Sequence, residues 1–187
     1  MTAQTLQAER IHLAALLDAI QRCVFFLDAS CAKLIWPLVP DELARRRKEV
    51  DLFESLSAIN ERFAKLQDTL GAAMRHALLF SGEAGETFLK VLAFYEKIGV
   101  LESVADWQLC RATRNLAAHA YETDYNIIAE HFNTLNTLIP GLYRIAARFL
   151  AYCSEALHIR PTQNDFASEF AVITRDISSP MPNSKNP

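Results

Sequence analysis

Residues 52–82 read LFESLSAINERFAKLQDTLGAAMRHALLFSG. Within this stretch Leu52, Leu56, Ile59, Phe63, Leu66, Leu70, Ala73, Ala77 and Phe80 recur at alternating steps of four and three. At 3.6 residues per turn, such steps place every apolar side chain on one stripe of a long helix. Ser81-Gly82 supplies the stop, because glycine takes up the left-handed conformation that closes a helix. Sustained four–three spacing is also the seam of near-parallel helix packing, at about 20°. The stretch therefore predicts a helix packed along its length against others of the same kind.

The flanking sequence repeats the pattern. Leu13, Leu17, Ile20, Val24, Leu27, Cys31 and Leu34 form one stripe on a helix over residues 5–35, which Pro37 and Pro40 end. Asp41 stands where it can cap the next segment. Phe88, Val91, Leu92, Tyr95 and Ile98 form a third stripe closed by Gly99, and Ser103 reads as the N-cap of a fourth helix, with Asp106 three residues on. Ile128, Phe132, Leu135, Ile139, Leu142, Ala146, Phe149 and Cys153 form the last stripe, with Pro140 inside it at a position expected to kink the helix. The fold class expected is all-α, an up-and-down bundle of four to five helices with a long final helix kinked at a proline. Residues 1–158 form the bundle. Residues 159–187 form a C-terminal extension whose end, 178–187, reads as a flexible tail.

Composition agrees. The 187 residues suffice for one domain that buries roughly 70% of its unfolded surface. Hydrophobic residues make up 51% of the chain and glycine is scarce at 5, which favours helices over a turn-rich sheet. A net charge of −3 does not fit a generic basic nucleic-acid binder, so any RNA contact must be local. The basic run Arg45-Arg46-Arg47-Lys48 reads as a solvated face. Cys23, Cys31, Cys110 and Cys153 form no CxxC pair and lie in apolar runs, which predicts buried thiols in a reducing cytoplasm. Neither a signal peptide nor an apolar stretch long enough to span a bilayer is visible. The expected setting is cytoplasmic, with no membrane, metal or cofactor.

The chemistry concentrates in Arg114-Asn115-Leu116-Ala117-Ala118-His119-Ala120-Tyr121. At 100° per residue, with Arg111 at zero, Asn115 falls at about 40°, His119 at about 80° and Arg114 at about −60°. Leu109, Ala112, Leu116 and Ala120 fall between about 100° and 180°, and read as the core-facing side. Trp107 and Val104 fall on the polar arc instead. An exposed tryptophan there calls for a cover, either a second copy of the chain or a stacked base. Val104 extends the apolar patch and favours the second copy, making Val104 and Trp107 the expected dimer interface.

Such a face suits phosphodiester chemistry. The planar fork of Arg114 matches phosphate oxygens and stays charged. His119 titrates near neutrality and can donate or accept a proton. Asn115, one turn away, is placed to orient the histidine or to hold the sugar–phosphate backbone. Tyr121 follows at the helix end. The plainer alternative is a histidine that complements the helix dipole beside solvated arginines.

The octet resembles the Arg-x4-His-x-Tyr signature of HEPN domains, in the HepT-like branch of toxin–antitoxin proteins. Tyr95-Glu-Lys-Ile-Gly-Val-Leu101 resembles the stretch before the motif helix of that family. Asp124-Tyr125 and the final helix with Pro140 resemble the stretch after it. Arg62-Phe-Ala-Lys-Leu-Gln-Asp-Thr-Leu-Gly71 resembles the second helix of related proteins, and the likeness covers roughly residues 8–155. The resemblance implies a helical bundle that dimerises through the motif helices and cleaves RNA without a metal, through attack of a ribose 2′-OH on the adjacent phosphate. It implies that Arg114 stabilises the charge of the transition state, His119 acts as general base or acid, and Asn115 supports the geometry. Arg111, Arg62 and Asp68 are possible supporting residues. It further implies a nucleotidyltransferase antitoxin that transfers AMP to Tyr121. The alternative within the same family is a non-catalytic nucleotide-binding or adaptor subunit that partners a nucleotidyltransferase. The chain is longer than a minimal domain of this kind, and more acidic.

Overall fold

Four–three spacing leaves a helix with one face that must be covered, and the computed structural model shows how the faces cover one another. It describes residues 3–82, 87–116 and 123–175. Among them the chain is all-helical: α1 (Ala3–Cys31), α2 (Pro40–Arg45), α3 (Val50–Ser81), α4 (Phe88–Lys97), α5 (Val104–Leu116), α6 (Tyr125–Ala156) and α7 (Ala167–Arg175). No helix among the described residues is long and apolar enough to cross a membrane.

The α1 stripe of Leu13, Leu17, Ile20, Val24 and Leu27 is fully buried, and so is the α3 stripe from Ile59 through Leu66, Leu70 and Ala73 to Ala77. Each leucine or isoleucine so buried contributes about 1.5–3 kcal/mol. The α6 stripe, Leu135 through Cys153, closes the same core. Tyr95 ties α4 into it. Its hydroxyl donates to the Met74 carbonyl at 3.0 Å, and its ring meets Phe149 edge-on with centroids 5.5 Å apart.

The helix ends follow from local chemistry. Gly82 (φ 74°) and Gly99 (φ 77°) adopt the left-handed conformation after α3 and α4. Thr87 caps α4 by accepting from the Lys90 N–H, and Asp124 caps α6 by accepting from the Asn126 N–H. One cap differs from expectation. Helix α2 begins on Pro40 with Val39 as its N-cap and no side-chain cap bond. Proline needs no partner at the first helical position, so Asp41 instead places its charge in the first turn, where it favours the helix dipole.

The first part of the C-terminal extension is tied down. Asp18 of α1 accepts from the Thr162 and Gln163 backbone N–H groups at 3.0 and 2.9 Å. Phe166 packs on Phe25 and Phe26, and Ile159 and Phe170 are buried. The stretch 178–187 lies outside the described residues.

The cysteines are less uniform than expected. Cys110 and Cys153 are buried, while Cys23 and Cys31 are half-buried, and all four are free thiols. In the basic run, Arg45 pairs with Glu42 and Arg46 with Glu49, and these side chains are exposed.

Candidate functional site

Helix α5 is positioned from several sides. Ser103 caps it, its Oγ accepting from the Asp106 N–H at 3.0 Å. The Val104 N–H donates to Glu96 Oε1 of α4, at 2.8 Å. Just before the helix, Glu102 is clamped to Arg144 (2.9 Å) and Arg148 (3.2 Å) of α6. These two arginines hold the Glu102 carboxyl below the usual carboxylate range, Arg144 chiefly through its hydrogen bond.

The face that α5 buries is the opposite of the one expected. Trp107 is only 2% exposed, and Cys110 and Thr113 are buried beside it, whereas Leu109 is 50% exposed and Ala112 is exposed. Trp107 is thus covered within its own chain, by Gly71 of α3 and by Phe88 of α4, whose ring stands edge-on at 6.1 Å. Val104 is half-buried against the same core. The physical reason is size. A tryptophan buries about 150–250 Å², which outweighs one leucine and an alanine on the other side. Trp107 and Val104 therefore do not form an exposed patch, and a dimer interface through them loses its basis. The exposed apolar surface of α5 is Leu109, with Ala105 and Ala112 one turn to either side.

Gly71 makes the close approach possible. A Cβ there would stand 3.2 Å from Phe88 Cζ and 3.5 Å from Trp107 Cζ2. Gln67, one turn earlier and 2% exposed, donates from Nε2 to the Trp107 carbonyl at 3.0 Å. Its Oε1 is buried with no hydrogen-bond partner among the described residues. An acceptor left so costs about 1–3 kcal/mol.

Arg114 reaches across to α3. Its Nη1 lies 2.5 Å from Asp68 Oδ1 and donates to the Ala64 carbonyl at 3.3 Å. The arginine side chain is 18% exposed and the aspartate 64%. A pair this open to solvent contributes only about 0.2–1 kcal/mol to stability. Its main effect is on geometry: the guanidinium is aimed along α3.

These residues surround a cavity of about 270 Å³ between α3, α4 and α5, lined by Gln67, Asp68, Arg75, Phe88, Arg111 and Arg114, with Gly71, Ala72 and Trp107. Arg75 stands over the Phe88 ring, its Cζ 5.1 Å from the centroid. Arg111 and Asn115 are exposed on α5. Of the residues singled out in the sequence, Asp68, Arg111 and Arg114 thus share one cavity. Arg62 does not belong to it. Arg62 donates to the Phe26 carbonyl and Ser30 Oγ of α1 and lies over the Phe26 ring. His119 and Tyr121 lie outside the described residues, as does the side chain of Leu116.

The sequence reading missed Gln67, Gly71, Arg75 and Phe88. A signal was present. Gln67, Gly71 and Arg75 follow at steps of four along α3, a row of polar and small residues beside the core stripe. Cys110 adjoins the site but is not a nucleophile at neutral pH, since burial, with the charge of Asp106, pushes its thiol up to about 11. Among the described residues no group of three or more His, Cys, Asp or Glu side chains is placed to hold a metal ion. No family model, no curated protein and no solved structure matches this chain, so the site rests on its own geometry.

Proposed function

We propose that the protein is a metal-independent endoribonuclease, the toxin of a toxin–antitoxin pair. The ribose 2′ oxygen attacks the adjacent phosphorus, the bond to the 5′ oxygen breaks, and a 2′,3′-cyclic phosphate and a free 5′-hydroxyl result. His119 takes the 2′-OH proton or returns one to the departing 5′ oxygen. Arg114 stabilises the added charge on the phosphorane oxygens, and Asn115 supports the geometry. The observation that carries the reading is the bracing of Arg114 by Asp68 at the edge of an arginine-lined cavity, five residues before His119.

The remaining parts of the reading are an up-and-down bundle with its last helix kinked at Pro140, a homodimer, a cytoplasmic setting, and a nucleotidyltransferase antitoxin that transfers AMP to Tyr121. A second copy would cover Leu109 rather than Trp107. The small basic cavity also favours a second reading, a nucleotide-binding adaptor subunit without activity of its own.

Expression of the wild type and of His119→Ala side by side, with growth and total RNA followed, tests the proposal. Growth arrest with RNA breakdown in the wild type alone supports a ribonuclease. Equal growth and intact RNA in both cultures favours the adaptor.

A further inference from the structure

The ribonuclease reading uses the cavity between α3, α4 and α5 only at its Arg114 edge. The rest of the lining has a chemistry of its own. Arg75 from α3 and Arg111 from α5 bring two guanidiniums that lie outside the octet. Three arginines face one aspartate, in a chain whose net charge is −3. The aspartate is already engaged by Arg114. Among the described residues neither Arg75 nor Arg111 pairs with a carboxylate, and Arg75 is held by the Phe88 ring instead. Among the described lining residues there is therefore a local positive excess, on side chains whose fork geometry suits phosphate oxygens.

Two further features favour an occupant. The floor carries Gln67, whose Oε1 is a buried acceptor without a partner among the described residues. The size is also restrictive. At about 270 Å³ the cavity lies just below the roughly 300–1,000 Å³ of common ligand pockets, so it takes one phosphate with part of its nucleoside, not a folded nucleic acid.

We propose that this cavity is a nucleotide phosphate subsite in which Arg75 and Arg111, with Arg114 at its edge, bind a phosphate ester next to the one that the octet acts on. The identity of that ester as part of an RNA strand rests on the ribonuclease reading; the binding chemistry does not.

The test is equilibrium binding of a fluorescent 2′-O-methyl oligoribonucleotide, which lacks the attacking hydroxyl and stays intact. Wild type, Arg75→Gln, Arg111→Gln and the double variant are compared over a range of salt. Both arginines are exposed, so the variants should fold, which circular dichroism verifies. The double variant should bind at least about tenfold more weakly, and its slope of log affinity against log salt should fall by about 0.7 for each phosphate that is no longer neutralised. Wild-type affinity in the double variant, or no binding by the wild type, overturns the subsite. Competition by 5′-AMP at concentrations similar to the oligonucleotide assigns the same chemistry to a free mononucleotide, and weak competition assigns it to a strand. If binding depends on both arginines while ordinary RNA survives with the wild type, the subsite stands and the ribonuclease reading falls.

Discussion

The Arg114 guanidinium lies 2.5 Å from the Asp68 carboxylate, across the gap between α5 and α3. This ion pair aims the one cation of the octet whose side chain is described. In the proposed mechanism Asp68 is a positioning residue. Asp68→Asn should change stability by less than about 1 kcal/mol, because the aspartate is largely exposed. RNA cleavage should fall about tenfold or more, with the loss in kcat rather than KM. Steady-state kinetics beside urea denaturation check this. A variant that cleaves like the wild type would show that Arg114 needs no brace.

Trp107 and Leu109 have exchanged the roles that a simple helical wheel assigns them. Trp107→Ala should cost about 3–5 kcal/mol, as expected for emptying a large aromatic site in the core. Leu109→Ser, at a half-exposed position, should stay within about 0.5 kcal/mol in the monomer. Urea midpoints for the two variants decide the matter, and a neutral Trp107→Ala would place the indole outside the core.

The thiols should be slow to react while the chain is folded. Burial pushes Cys31 and Cys153 up to about 12 and Cys110 up to about 11, and Cys23 is raised as well. At pH 8 a thiol of pKa about 12 is thiolate in only about one part in 10⁴. Iodoacetamide labelling followed by mass spectrometry should proceed at least about tenfold faster in urea than in buffer. Equal rates at Cys110 and Cys153 would contradict the burial of these two side chains.

Stability should also weaken in mild acid. His131, half-buried beside Phe132, has its pKa lowered by burial from the ordinary value of 6.5. Below about pH 6.5 the unfolded chain takes up a proton that the folded chain resists, so stability falls as pH drops from there toward the folded pKa. Above that range both states are neutral and the effect vanishes. His131→Gln should flatten this part of the curve of urea midpoint against pH, and an unchanged acid limb would assign the sensitivity to other groups.

The long helices were legible because their apolar residues keep to the helical period over many successive steps. Leu13 to Leu27, Leu52 to Ala77 and Phe132 to Cys153 are buried along their whole runs. The face of α5 was not legible. Over so short a helix, Trp107 and Leu109 point to different sides, and angles alone do not weigh one large ring against smaller side chains. The cavity was hidden for a different reason. Its walls come from α3, α4 and α5, and only packing reveals that Arg75, Arg111 and Arg114 meet there. The attachment of residues 159–175 escaped as well, since it depends on Asp18 accepting from a loop 144 residues away and on Phe166 finding Phe25, with no periodicity to announce either.

The central claim is that this chain cuts RNA at a site built around Arg114 without a metal ion. Its most direct test is incubation of the purified protein with single-stranded RNA in EDTA, beside Arg114→Ala, with the product ends identified by mass spectrometry. Fragments ending in 2′,3′-cyclic phosphate from the wild type, and intact RNA with the variant, are the predicted result. Intact RNA with the wild type, or cleavage only after a divalent metal is restored, would contradict the account.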